Sequence, residues 1–138
     1  MDRGLTRAAR YLWAAPITFV GIAIAIAAWP RAHVALVDGV IEVQGPWLRL
    51  ALRHLVPLRG GAAAITFGHV VLARDQASLD FTRAHERVHV RQYERWGVFF
   101  FPLYVASSVA QLIRGRHPYL DNAFEREAYA KSAARPDA

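Results

Sequence analysis

His85-Glu86-Arg87-Val88-His89 decides how this chain is read. The stretch spells HExxH inside a segment of helical periodicity. On an α-helix, positions i and i+4 lie one turn apart on the same face, so both imidazoles can point at one metal ion. Glu86 follows the first histidine, rotated about 100° around the axis, where its carboxylate can reach a water held at that metal. Two neutral nitrogen ligands, an open position and a neighbouring base are what metal-assisted hydrolysis requires. Ser78 and Asp80 offer N-cap oxygens before a run extending to Trp96, and Gly97 is a natural stop. Along that run Phe81, His85, Val88, His89, Gln92 and Trp96 share a face at spacings of three and four, so the ligand face is expected to be the buried face. Arg83, Arg87, Arg91, Glu94 and Arg95 lie mostly elsewhere. A lone histidine on a core face is commonly a packing residue; two at i and i+4 with an intervening glutamate favour metal.

A helix pair of ligands needs a third from elsewhere. Downstream, Asp121-Asn122-Ala123-Phe124-Glu125-Arg126-Glu127-Ala128-Tyr129 joins polar caps to good helix formers. Here the chain resembles the glutamate-zincin metallopeptidases, in which a glutamate on a later helix completes HExxH. Their second motif reads NxxE or ExxA, and both registers, Asn122-x-x-Glu125 and Glu125-x-x-Ala128, select Glu125. Glu127 would point roughly 200° away on the same helix. Tyr129 departs from the pattern, standing where many relatives carry an aspartate that supports a ligand histidine. Taken without the upstream motif, Glu125 reads as a solvated carboxylate paired with Arg126 or Lys131. The stretch from Thr82 to Tyr129 also resembles small bacterial membrane proteins bearing HExxHxxQ followed by an FEREA-like segment. That resemblance covers about a third of the chain and implies a metallopeptidase-like site without a substrate.

The 138 residues allow one domain at most, and part of the chain is unavailable to a soluble core. Tyr11 to Trp29 carry no charge and cover about 28 Å as a helix, close to the thickness of bilayer hydrocarbon. Trp13 and Trp29 stand near its two ends and Arg3, Arg7 and Arg10 precede it, the pattern of a transmembrane anchor. Ala25-Ile26-Ala27 offers the competing reading, a cleaved signal sequence; a buried helix is the third. The expected organisation is residues 1–30 as basic N-terminus and anchor, and residues 31–138 as a minimal zincin-like metal-binding domain of α+β class. The chain has no cysteine, so it has no disulfides. A net charge of +6 would suit nucleic acid, but the arginines are dispersed without a recognition motif, and an anionic lipid surface accounts for them more simply.

Val34–Val37 and Val40–Val43 flank Asp38-Gly39, a two-residue turn signal, and predict a hairpin. Pro46 through Leu58 sets Leu48, Leu52, Leu55 and Val56 against Arg49 and Arg53, a helix lying in the membrane interface or packed on the sheet. Ala63 to Ala73 reads as a strand, or two halves around Gly68. It is the candidate edge for extended substrate, with His69 in it a structural residue. The apolar segment 97–113 cannot cross a bilayer once without separating His85 and His89 from Glu125. It is therefore expected as a half-embedded or core-packed helix beginning near Pro102.

The sequence thus points to a zinc-dependent peptidase at a bacterial inner membrane, acting on peptide or membrane-protein substrates. His85, His89 and Glu125 would hold Zn²⁺, Glu86 would act as base, and Gln92 and Asn122 would orient ligands. Tyr129, Tyr119 and His117 remain as alternative transition-state donors. The rival class is a non-catalytic membrane scaffold, with a partner membrane protein, that retains the metal site.

Overall fold

The computed structural model describes residues 3–133. Five helices and four strands follow in the order α1 Arg3–Ala27, β1 His33–Val37, β2 Val40–Gln44, α2 Pro46–His54, β3 Ala64–Phe67, β4 Val70–Ala73, α3 Gln76–Trp96, α4 Phe100–Ile113 and α5 Ala123–Ala133, with a 3-10 turn at Gly97–Phe99. This is an α+β arrangement around a mixed sheet of strand order β1-β2-β4-β3.

The expected hairpin forms, and of the two readings of the 63–73 stretch the structure has the two halves, paired as a second hairpin. Asp38 and Gly39 adopt φ of 49° and 78°, the left-handed pair a two-residue hairpin turn demands, and β1 pairs antiparallel with β2. Gly68, at φ 62°, splits the 63–73 stretch into β3 and β4, also antiparallel. A parallel pairing of β2 with β4 joins the two hairpins and leaves β3 at the sheet edge.

Strand alternation sends side chains to two different layers. Ile41, Val43, Val70, Leu72, Ile65 and Phe67 pack with Ile22, Ile24, Ala25 and Ala28 around α1 and with Leu48 of α2. Val40, Val71, Ala73 and Ala64 face the other way and pack with Leu79 and Val90 of α3. A third cluster, Ala14, Ile17, Tyr93, Phe100, Tyr104 and Phe124, joins α1 to α3, α4 and α5. The N-terminal helix is long and apolar enough to cross a membrane or serve as a signal sequence. In this fold one of its faces is also part of the core.

Several boundaries differ from expectation. Asp75, rather than Ser78 or Asp80, caps α3: its Oδ1 accepts the Ser78 N–H at 2.7 Å while Arg49 holds its other oxygen. Phe81 is 90% exposed and Trp96 is half-exposed, so the ligand face is buried only through its middle. The packed stripe is set by Leu79, Glu86, Val88, His89, Val90, Gln92 and Tyr93, because the sheet and α5 cover the centre of α3 and not its ends. α2 ends at His54, with Leu48 and Leu52 buried but Leu55 exposed. α4 starts at Phe100, two residues before Pro102, which sits in the first turn where its missing N–H costs nothing.

Candidate metal centre

α3 carries His85 and His89 one turn apart, and α5 packs against it so that Glu125 meets both. Glu125 Oε2 lies 2.9 Å from His85 Nε2, Glu125 Oε1 lies 3.2 Å from His89 Nε2, and the two Nε2 atoms are 3.2 Å apart. Two atoms each about 2.05 Å from a tetrahedral ion are separated by roughly 3.3 Å, so the two Nε2 atoms stand at the spacing of two corners of a coordination tetrahedron, and Glu125 brings one oxygen to each of them. Among the described residues these three form a group that can hold a metal ion. Nitrogen, nitrogen and carboxylate oxygen is a donor set suited to a divalent cation of intermediate softness.

The hydrogen-bond network fixes which nitrogen each partner presents. Gln92 Nε2 donates to the Phe124 carbonyl and to Glu127 Oε1, both at 3.0 Å, so its amide orientation is not ambiguous. Gln92 Oε1 must then accept, and its partner at 2.8 Å is His89 Nδ1. With one proton fixed on Nδ1, it is Nε2 that gives up its proton when a cation binds, and the lone pair then faces Glu125 and His85. Glu125 is held from a second direction by the Tyr104 hydroxyl, which donates to Oε1 at 2.7 Å.

Electrostatics favours positive charge at the point where these groups meet. Burial disfavours protonating His89, yet its hydrogen bond to Glu125 and the charges of Glu86 and Glu125 outweigh this and raise it to about 9. Burial would raise the Glu125 carboxyl, but hydrogen bonds from His85, His89 and Tyr104 and the charge of His89 hold it well below the usual carboxylate range. A place that suits a proton between acidic groups also suits a cation.

Glu86 is buried beside this cluster and is not one of the three donors. Thr66 of β3 donates to its Oε2 at 2.6 Å, which aims the carboxylate. The Asn122 side chain makes its hydrogen bonds to groups other than His85, His89 and Glu125. Its Nδ2 donates to the Tyr104 carbonyl and to Ser108 Oγ, and its Oδ1 accepts the Phe124 N–H, so it caps α5 and ties that helix to α4. Tyr129 lays its ring 4.5 Å from that of His85 and shares a hydroxyl contact of 3.1 Å with Tyr119. Burial and the charge of Glu125 push the Tyr119 phenol well above its ordinary range, so it stays protonated and can donate. His117 Nδ1 accepts the N–H groups of Tyr119 and Leu120 and organises the turn before α5. Glu127 faces Gln92, Arg95 and Lys131 instead of the donors.

Thr66 and Tyr104 are the two contacts that sequence reading missed. A signal for Tyr104 was present: Tyr104, Ser107, Ser108 and Gln111 form a polar stripe at helical spacing in an otherwise apolar segment. A cavity of about 530 Å³, lined by Leu120, Ala123, Arg126, Glu127, Tyr129 and Ala130, opens along α5 and reaches the centre's edge at Tyr129. Comparison of the chain with protein-family models, curated proteins and solved structures gave no match.

Proposed function

We propose that the chain is a membrane-associated zinc-dependent peptidase of zincin type. His85, His89 and Glu125 would hold the ion. The observation that carries this reading is Glu86: a buried carboxylate, oriented by Thr66, adjoining the three-donor cluster without belonging to it. A purely structural metal site has no use for such a group.

Zinc in this donor set supplies a Lewis acid that polarises a peptide carbonyl and makes water more acidic. The chain's own residues do the rest. Glu86 takes the proton of the attacking water and passes it to the departing amine, with Thr66 keeping the carboxylate in place. Gln92 holds the His89 tautomer. The Tyr119 and Tyr129 hydroxyls are the available donors to the oxyanion that develops on the carbonyl. β3 lies at the sheet edge beside α3, where an extended peptide can add as a further strand.

Glu86→Gln is the test. The amide keeps shape and hydrogen bonding but cannot accept the proton, so the variant should fold and hold stoichiometric zinc while turnover of a peptide library falls about 10²–10⁴-fold. Zinc loss in this variant would make Glu86 structural. If wild type and variant both hold zinc, neither cleaves peptide, and a membrane protein co-purifies with each equally, the chain is a scaffold. The observation favouring that second reading is the small opening at the donors: only 13% of the His85 side chain is exposed, and less of His89 and Glu125.

A further inference from the structure

The outer face of the α1 layer is unexplained by the metal centre. α1 is docked along its length: Tyr11 donates to the Gly39 carbonyl, Trp13 Nε1 to the Arg95 carbonyl, and Thr18 accepts the His69 N–H. At Gly21 the helix comes so close to β4 that an added Cβ would lie 2.7 Å from that of Val70. The opposite face is bare and wholly apolar. Leu12 is 74% exposed, Phe19 67% and Ile26 69%, and no charge interrupts Tyr11 to Trp29. The surface continues onto the sheet, because Val34 and Leu36 pair with Val43 and Ile41 and so share their face. Leu36 is 75% exposed. A helix facing water would carry its charged residues on this side.

The docking also determines how such a surface can meet lipid. The stretch of α1 long enough to fill the hydrocarbon is the stretch that carries the sheet. A crossing would bring with it the unpaired outer edge of β1 and the buried Glu42 with Arg83 and Arg87. Hydrocarbon offers these backbone groups no partners, and open sheet edges are not tolerated there. We propose that α1 does not cross the membrane but lies in its plane, seating the chain on one leaflet with the outer faces of α1 and the β1 edge in the headgroup–acyl boundary. Arg3, Arg7 and Arg10 precede the apolar run and Arg31 follows it, so the fitting surface is anionic lipid. A second copy fits worse, since a parallel two-fold pairing of this face sets Arg3, Arg7 and Arg10 near their own copies and an antiparallel one sets them near Arg31. The placement holds whether or not the metal site is catalytic.

The test uses the full cysteine-free chain bound to vesicles of phosphatidylcholine and phosphatidylglycerol. Ala8→Cys and Ala35→Cys, both at exposed positions, report sidedness through an impermeant maleimide, with circular-dichroism melting as the control for fold. Both should label equally from the outer side. Bimane attached at Phe19→Cys should be quenched more by lipid carrying its nitroxide at a shallow acyl position than at a deep one. Opposite-side labelling with strongest quenching by the deep nitroxide would make α1 a span and overturn the proposal. Absence of quenching from either lipid, with a dimer in vesicle-free buffer, would overturn it in favour of self-association.

Discussion

At the scale of single residues, the centre shows how one amide can set the chemistry of a neighbour. Gln92 is committed by two acceptors on α5, and its remaining oxygen dictates the tautomer of His89. Gln92→Ala should therefore keep the fold but weaken zinc binding about 10- to 100-fold, measured by competition with a chromogenic chelator. Glu125→Ala should abolish stoichiometric zinc in metal analysis of the purified protein, as should His85→Ala. Glu127→Ala, which removes a contact to Gln92 and two surface ion pairs, should bind zinc nearly as the parent does. HExxH was legible because its geometry is local to one helix. Glu125 entered through resemblance, and the 2.9 Å approach to His85 places it where a third donor would stand. Thr66 and Tyr104 reach the centre through strand placement and helix packing, which no spacing along the chain encodes.

At the scale of elements, the placement of α3 on the sheet depends on a buried charge. Glu42 points from β2 at α3, where Arg83 takes both its oxygens and Arg87 takes one, at 2.9–3.0 Å. Glu42 is 3% exposed, so removing it strands the partly buried Arg87 guanidinium and leaves Arg83 with its ion pair to the exposed Asp80. Glu42→Ala should lower unfolding free energy by about 3–5 kcal/mol in urea titration. If the loss stays below about 1 kcal/mol, the pairs are no more than surface contacts. The other end of α3 is equally constrained. Gly97 has φ 57°, and an added Cβ would sit 2.7 Å from the Trp13 ring. Gly97→Ala combines left-handed strain with displacement of α1, and should reduce stability by about 1–3 kcal/mol. Both turns and the helix stop could be read from Asp38-Gly39, Gly68 and Gly97, since each needs positive φ. The Asp75 cap could not be separated from Ser78 and Asp80, because three polar residues within six positions offer competing oxygens and only the path of β4 selects among them.

At the scale of the whole molecule, α1 belongs to two of the three core clusters, a role its composition did not announce. Apolar length reads the same whether a helix meets lipid or protein; here one face meets protein and the other is bare. A chain starting at residue 28 would bare Ile65, Phe67 and Val70 and lose the seat of Tyr93 and Phe100. It should be insoluble and show no cooperative melting. The contact between Trp13 and Arg95 adds a consequence in time. These residues are 82 positions apart. A ribosome adding roughly 5–20 residues per second releases Trp13 about 4–16 s before Arg95 exists. During synthesis, the apolar helix is thus finished long before any part of the protein can shelter it, and an anionic leaflet is the first surface that can. Insertion into the headgroup boundary would then precede folding, and the sheet would assemble on a helix the membrane already holds.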